Sequence, residues 1–437
     1  MSRFIIMTLG AMAIWIFSPL PCWGEVQATS PATAISGSNY QEQPSPQIYW
    51  RQDGLHLDAK NLQLKMRFGG EIQYDVGTMD ADEAAESVFP NLDARSNMFR
   101  RVRPYASATL YDRVHFRAEV ELISSGSFEP QLMDAYIRLL EIPFLGDIQV
   151  GQRKEPFSLE ELASNNDTTF MELSLPVEAF APAYNIGIMS QRTFLDQRMT
   201  LALGGFWNTG ALNFAEFRQA IDDINVFHLT TRFTAVPWYA EQGGRLLHLG
   251  LSYSHAFQDD DETRYSTLPE SNLVNEKLVS TGGFFSETTD RVNPELAIVF
   301  GPFSVQSELF YVLGQATPDV HFWGYYFYGS YLLTGESRPY DRATAIFSRV
   351  IPLQAFRPWC GEWGAWELGL RYSYVDLDSG SIQGGVEKNF TVGLNAYLSA
   401  NIRLMFNYVR AHVKDLAEPG GDDGRLNIFQ GRFQIAF

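Results

Sequence analysis

Apolar and polar residues alternate one for one in long runs along most of this chain. Val114, Phe116, Ala118, Val120 and Leu122 are interleaved with His115, Arg117, Glu119 and Glu121. Trp366, Leu368, Leu370, Tyr372 and Tyr374 repeat the pattern against Glu367, Gly369, Arg371 and Ser373. A period of two over about nine residues describes a strand with one apolar and one polar face. A period of 3.6 is sustained nowhere, and no segment reaches the ~18 apolar residues that a membrane-crossing helix needs. The chain therefore folds as β-structure, and it either stays in water or crosses a membrane as strands.

Composition favours the membrane. Aromatic residues make up 14% of the chain, with 32 Phe, 20 Tyr and 9 Trp, yet mean hydropathy is only −0.15. That combination is expected when every strand shows one face to lipid and the other to water. The formal net charge of −18 argues against nucleic acid as a partner.

The two ends carry export signals. Arg3 precedes an uncharged apolar run from Phe4 to Phe17, Pro19 and Pro21 break it, and Cys22-Trp23-Gly24 supplies small residues for cleavage. Residues 1–24 thus read as a signal peptide. Residues 25–61 are expected to form a periplasmic lead-in, and 62–437 an outer-membrane β-barrel. At the other end Phe433, Ile435 and Phe437 share one face of a final strand, the pattern that outer-membrane assembly machinery accepts.

The fold class that follows is all-β: a transmembrane antiparallel barrel of about sixteen strands, the first over Leu62–Asp75 and the last over Arg425–Phe437. An even number suits a closed bacterial barrel. Asp112-Arg113, Phe194–Gln197, Gly301-Pro302 and Ser399-Ala400 read as short periplasmic turns. Val76–Asn97, Glu155–Ala183 and Gln258–Asn293 read as long external loops. Gly335–Trp363 is long where a short turn is due.

Several stretches resemble the phosphate-selective porin O and P family. They include Phe99-Arg100-Arg101-Val102-Arg103, Asp134-Ala135-Tyr136-Ile137 and Gly151-Gln152-Arg153-Lys154-Glu155-Pro156-Phe157-Ser158. Leu333-Thr334-Gly335-Glu336-Ser337-Arg338-Pro339-Tyr340 and Ile382-Gln383-Gly384-Gly385 add to them, and the resemblance runs from about Gly54 to Phe437. It implies a sixteen-stranded homotrimeric porin whose third external loop, here Glu155–Ala183, folds inward and narrows the pore. It also implies a long connection at Gly335–Trp363, and selection of phosphate by basic residues along the pore in the familiar members.

Parity turns Arg101, Arg103, Arg117, Arg138, Arg153, Arg232, Arg371, Arg403 and Arg432 toward the lumen. Arg101, Arg103, Arg117, Arg138, Arg153, Lys154 and Arg371 are the expected anion path, because a guanidinium donates two hydrogen bonds to an oxyanion. Glu160, Glu161, Asn165, Asn166, Asp167 and Phe170 are the expected constriction. Glu119, Glu121, Asp134, Glu308 and Glu367 share the lumenal parity, so the charges could equally pair across strands and brace the wall. The reading is a passive channel for inorganic anions or other small solutes, seated in the lipid bilayer among lipopolysaccharide, with no cofactor and no metal. A general porin without phosphate preference is one alternative. An outer-membrane hydrolase is another, although no Gly-x-Ser-x-Gly or other nucleophile motif accompanies the seven histidines.

Overall fold

A computed structural model describes residues 45–89, 92, 94–214, 226–258, 262–414 and 423–437. The expected signal peptide, its cleavage site and most of the lead-in lie outside the described residues. So do Asp259, Asp260 and Asp261 of the fifth external loop, Gln258–Asn293.

Sixteen strands close into one antiparallel barrel. They are β1 (Leu64–Ala81), β2 (Asn97–Leu110), β3 (Val114–Glu121), β4 (Gln131–Ile142), β5 (Gly146–Lys154), β6 (Tyr184–Phe194), β7 (Met199–Trp207) and β8 (Phe227–Ala240). The second half comprises β9 (Arg245–Phe257), β10 (Thr288–Phe300), β11 (Phe303–Gln315), β12 (Val320–Leu332), β13 (Ala365–Ser379), β14 (Ile382–Tyr397), β15 (Ile402–Lys414) and β16 (Gly424–Ala436). Each pairs with its neighbour in sequence, and β16 pairs with β1 from Leu426↔Ala81 to Ala436↔Glu71. Closure leaves no strand edge, as a lipid environment requires.

The alternation points the way a membrane barrel demands. On β13, Leu370 is 48% exposed on the outside while Arg371 beside it is 1% exposed on the inside. On β3, Glu119 and Glu121 are buried inward. Charged residues inside and large apolar residues outside invert the soluble arrangement. No helix among the described residues is long and apolar enough to cross a membrane.

The strands begin and end differently from the sequence expectation in several places. β1 continues through Gly77, Thr78 and Asp80 to Ala81, because β16 offers partners that far up; Asp80 therefore belongs to the wall and not to the first loop. β10 starts at Thr288, six residues before Pro294, because β9 offers partners from Phe257↔Thr288 to Leu251↔Pro294; toward β11 the register is the same on both sides of Asn293 and Pro294. The end of the lead-in is a hairpin, Gln47–Arg51 with Gly54–Ala59, paired to the lower part of β1 from Leu55↔Phe68 to Ala59↔Leu64. It takes over the edge of β1 where β16 stops. Phe437 exchanges hydrogen bonds with Gly70 at 2.7 and 2.9 Å, and the Trp50 ring lies 5.6 Å from the Phe437 ring.

The long connection between β12 and β13 is a real departure from short periplasmic turns. It folds up into the barrel mouth around a small hairpin, Tyr340–Asp341 with Ile346–Phe347. Tyr340, Ala345 and Phe347 pack on Val236, Leu246, Ala297 and Val299 of the wall. From outside, the third loop brings Phe157, Phe170, Leu175 and Phe180, and the fifth brings Tyr265, Val274 and Leu278, against Phe310, Phe322, Tyr326 and Tyr328. These inserts explain why β8–β13 carry apolar side chains on their inner face. That half of the lumen is packed with protein, and the open space lies along β1–β6.

Candidate functional site

The third loop is moored by ion pairs. Glu172 accepts two bonds from Arg100, at 2.9 and 3.1 Å, and one from Arg432 at 2.5 Å, with Arg101 at 3.9 Å. Burial would raise its carboxyl, but Arg100, Arg432 and Arg101 hold it well below the ordinary range. Glu160 accepts from Ser174 at 2.7 Å and from Arg371 at 3.4 Å, while Glu308 on β11 receives the backbone N–H groups of Leu159 and Glu160. Arg371 also meets Glu270 of the fifth loop at 2.7 Å and stacks over the Phe170 ring at 4.5 Å. Arg403 donates to the carbonyl of Thr168 at 2.7 Å. Asp167 reaches Arg349 of the periplasmic insert at 3.6 Å. Glu160 and Glu172 are thus neutralised by the wall, at the expense of Arg371, Arg100 and Arg432.

Arg100 escaped parity. Between Gln73 and Tyr74 the β1–β2 register slips by one residue, so Arg100 and Arg101 both turn inward. The consecutive arginines of Phe99-Arg100-Arg101-Val102-Arg103 were the available signal.

Among the described residues, two cavities lie on the β1–β6 side of the lumen. The outer, of about 310 Å³, is lined by Arg100, Arg101, Glu121 and Glu178 among others. The inner, of about 320 Å³, is lined by Glu71, Arg117, Glu119, Asp134, Tyr136, Arg153 and Arg349 among others. Arg103, Lys154, Asn165 and Tyr184 line both, so the two meet at a waist between β2, β5, β6 and the third loop. Arg138, Arg371 and Phe170 line neither. The inner cavity has six basic residues (Arg67, Arg103, Arg117, Arg153, Lys154, Arg349) and four acidic (Asp53, Glu71, Glu119, Asp134). It carries a positive excess in a chain whose net charge is −18.

The basic groups in and around the two cavities are unequal. Arg103 meets Glu121 at 2.5 Å, Glu119 at 3.4 Å and Glu71 at 3.6 Å. Arg117 pairs with Glu119 and, at 2.9 Å, with Asp134. Lys154 meets Glu161 at 3.0 Å. Arg101 donates to Gln73 at 2.8 Å. Arg153 and Arg138 instead converge on one neutral acceptor, Gln149 Oε1, at 2.5 and 3.0 Å. Among the described residues neither has a carboxylate partner. Gly151 between them takes φ +128°, where a Cβ would stand 2.2 Å from the Ala135 carbonyl oxygen; only glycine fits there.

In the outer cavity, burial lifts the Glu178 carboxyl to about 7, with the Leu268 N–H offsetting part of the rise. Asn166 sits at the wall, its carbonyl accepting from Gln434 at 3.1 Å. On the last strand Phe433 is 41% exposed on the lipid side, and Ile435 shares that parity between Ile402 and Ile72.

Residues 66–437 match the family model described as phosphate-selective porin O and P. The chain belongs to that family. It is an outer-membrane porin of the bacterial outer membrane, a channel rather than an enzyme. Porin O of Pseudomonas aeruginosa is 23% identical over 428 residues, covering 88% of this chain and 91% of that protein. An uncharacterized protein of Caulobacter vibrioides is 27% identical over 385 residues, covering 84% of the porin and 73% of the relative. The porin shares its fold with the outer membrane channel DcaP of Acinetobacter baumannii, at 12% identity and a TM-score of 0.51, covering 87% of this chain and 99% of that one. It shares it too with the trimer form of OmpT of Vibrio cholerae, at 9% identity and a TM-score of 0.50, covering 86% and 99%.

Proposed function

We propose that small hydrophilic solutes pass down the β1–β6 side of the lumen and that the channel prefers anions. The observation that carries this reading is the Arg138–Gln149–Arg153 cluster beneath a waist of Arg103, Lys154, Asn165 and Tyr184. Arg153 lines the inner cavity and shares a neutral acceptor with Arg138, so it keeps its charge for a passing ion, whereas Arg103 and Arg117 are largely spent on neighbouring carboxylates. A series of weak sites suits conduction better than one deep trap. Phosphate fits this chemistry through bidentate bonds to guanidinium, and the name of Porin O's family points the same way. The abundance of ion pairs favours the second reading, a general porin of weak selectivity. By analogy with the trimer form of OmpT, the working unit is a homotrimer. Phe433, Ile435 and Phe437 serve assembly, and residues 1–24 are removed on export.

The route is tested by Asn165→Cys. A negatively charged thiol reagent should lower single-channel conductance of the variant and leave wild type unchanged. Unaltered conductance after mass spectrometry shows complete modification would place the route elsewhere.

A further inference from the structure

The outer wall of β14–β16 carries a basic cluster that the pore does not use. Lys388, His412 and Arg425 are direct cross-strand partners in one row. Arg410 lies two residues below His412 on the same face. Their neighbours along the strands, Glu387, Ala411, Val413 and Leu426, are buried inward, while Arg410 and Arg425 are exposed. Like charges in opposed positions repel. Among the described residues Lys388, Arg410 and Arg425 pair with no carboxylate, and His412 bonds Asp423 at 2.9 Å. The flanking strands are acidic at this height, with Asp376 on β13 and Asp80 on β1, so the basic character is confined to three strands.

Its height is that of a lipid headgroup. Lys388 stands nine residues above Tyr397, the periplasmic end of β14. At ~3.3 Å per residue and a tilt of ~45°, that is about 20 Å along the membrane normal, close to the ~25 Å of a barrel's apolar band. Directly below, the same strands and β1 enclose an apolar groove of about 470 Å³ lined by Val76, Val392, Leu394, Phe406, Tyr408 and Phe429. Gly431, opposite Phe406, leaves a notch in its floor.

We propose that this surface binds a phosphorylated, multiply acylated glycolipid of the outer leaflet. Its phosphate sits on Lys388, Arg410 and Arg425, and an acyl chain lies in the groove beneath. Cations with no carboxylate partner among the described residues, set above an apolar slot, match a ligand with an anionic head and a hydrocarbon tail, and the bilayer presents such a ligand at this height.

The test uses the full chain in neutral detergent, titrated with bis-phosphorylated lipid A, with the same lipid stripped of phosphate, and with inorganic phosphate. Wild type should bind the phosphorylated lipid at least about tenfold more tightly than the stripped one, given the attraction each basic residue exerts on an anionic lipid. K388Q/R410Q/R425Q should lose that preference, and Gly431→Leu should weaken both lipids. Wild-type single-channel conductance in both variants shows that they are folded. Equal binding of the two lipids by wild type overturns the proposal, as does unchanged binding by the triple variant. Competition by millimolar inorganic phosphate would make the cluster a free-anion site instead. Loss of oligomer without loss of lipid binding would make it a contact between copies.

Discussion

Replacing Arg153 by Gln removes a positive charge that no carboxylate among the described residues neutralises, and keeps a side chain able to hydrogen-bond Gln149. For an ion passing about 5 Å from the guanidinium through water, the Coulomb energy is about 0.8 kcal/mol, and screening in 0.1 M salt reduces it to about 0.5 kcal/mol. An anion loses that stabilisation while a cation loses the matching penalty, so the difference between them changes by about 1 kcal/mol. The anion-to-cation permeability ratio should therefore fall about fivefold. Arg138→Gln should act in the same direction, and the double variant should exceed either. The assay is the reversal potential of single channels in a planar bilayer under a KCl gradient. Arg153→Lys, which keeps the charge, should behave as wild type. An Arg153→Gln channel with the wild-type reversal potential would refute the assignment of selectivity to this cluster.

Arg371 braces the third and fifth loops from behind, so Arg371→Gln should raise current noise and lower thermal stability with little change in reversal potential; a selectivity change equal to that of Arg153→Gln would contradict this. Glu172→Gln leaves Arg100 buried without its counter-charge, while Arg432 keeps Asp75 at 2.7 Å, and should destabilise the barrel by on the order of 3 kcal/mol, read by urea unfolding in lipid vesicles. Glu178, lifted by burial to about 7, is neutral below that pH and negative above it. Anion preference should thus weaken as pH rises through about 7, and Glu178→Gln should flatten that titration. Because the unfolded chain ionises this group first, its contribution to stability falls as pH climbs from about 4.5 to about 7.

The wall was legible because each strand meets lipid on one side and water or charge on the other. β3 and β13 alternate as read, and the parity of short and long connections survived the exception between β12 and β13. Local irregularity was not legible. The slip at Gln73/Tyr74 that turns Arg100 inward depends on how β1 and β2 pair, which neither strand encodes alone. Asp80 looked like a loop residue because Gly77 and Asp80 are poor strand formers, yet β16 supplies partners. The site was half legible. Parity placed Arg101, Arg103, Arg117, Arg153 and Arg371 in the lumen, but some of their partners come from distant segments: Glu172 of the third loop meets Arg101, and Glu270 of the fifth meets Arg371. Which arginines remain unspent is therefore a property of the assembled barrel.

The most direct measurement is the reversal potential of wild-type channels under a KCl gradient, repeated with phosphate added. A potential on the chloride side, with chloride current reduced by phosphate, is the predicted result. A potential on the potassium side, or currents indifferent to phosphate at zero selectivity, would contradict an anion path along Arg138 and Arg153.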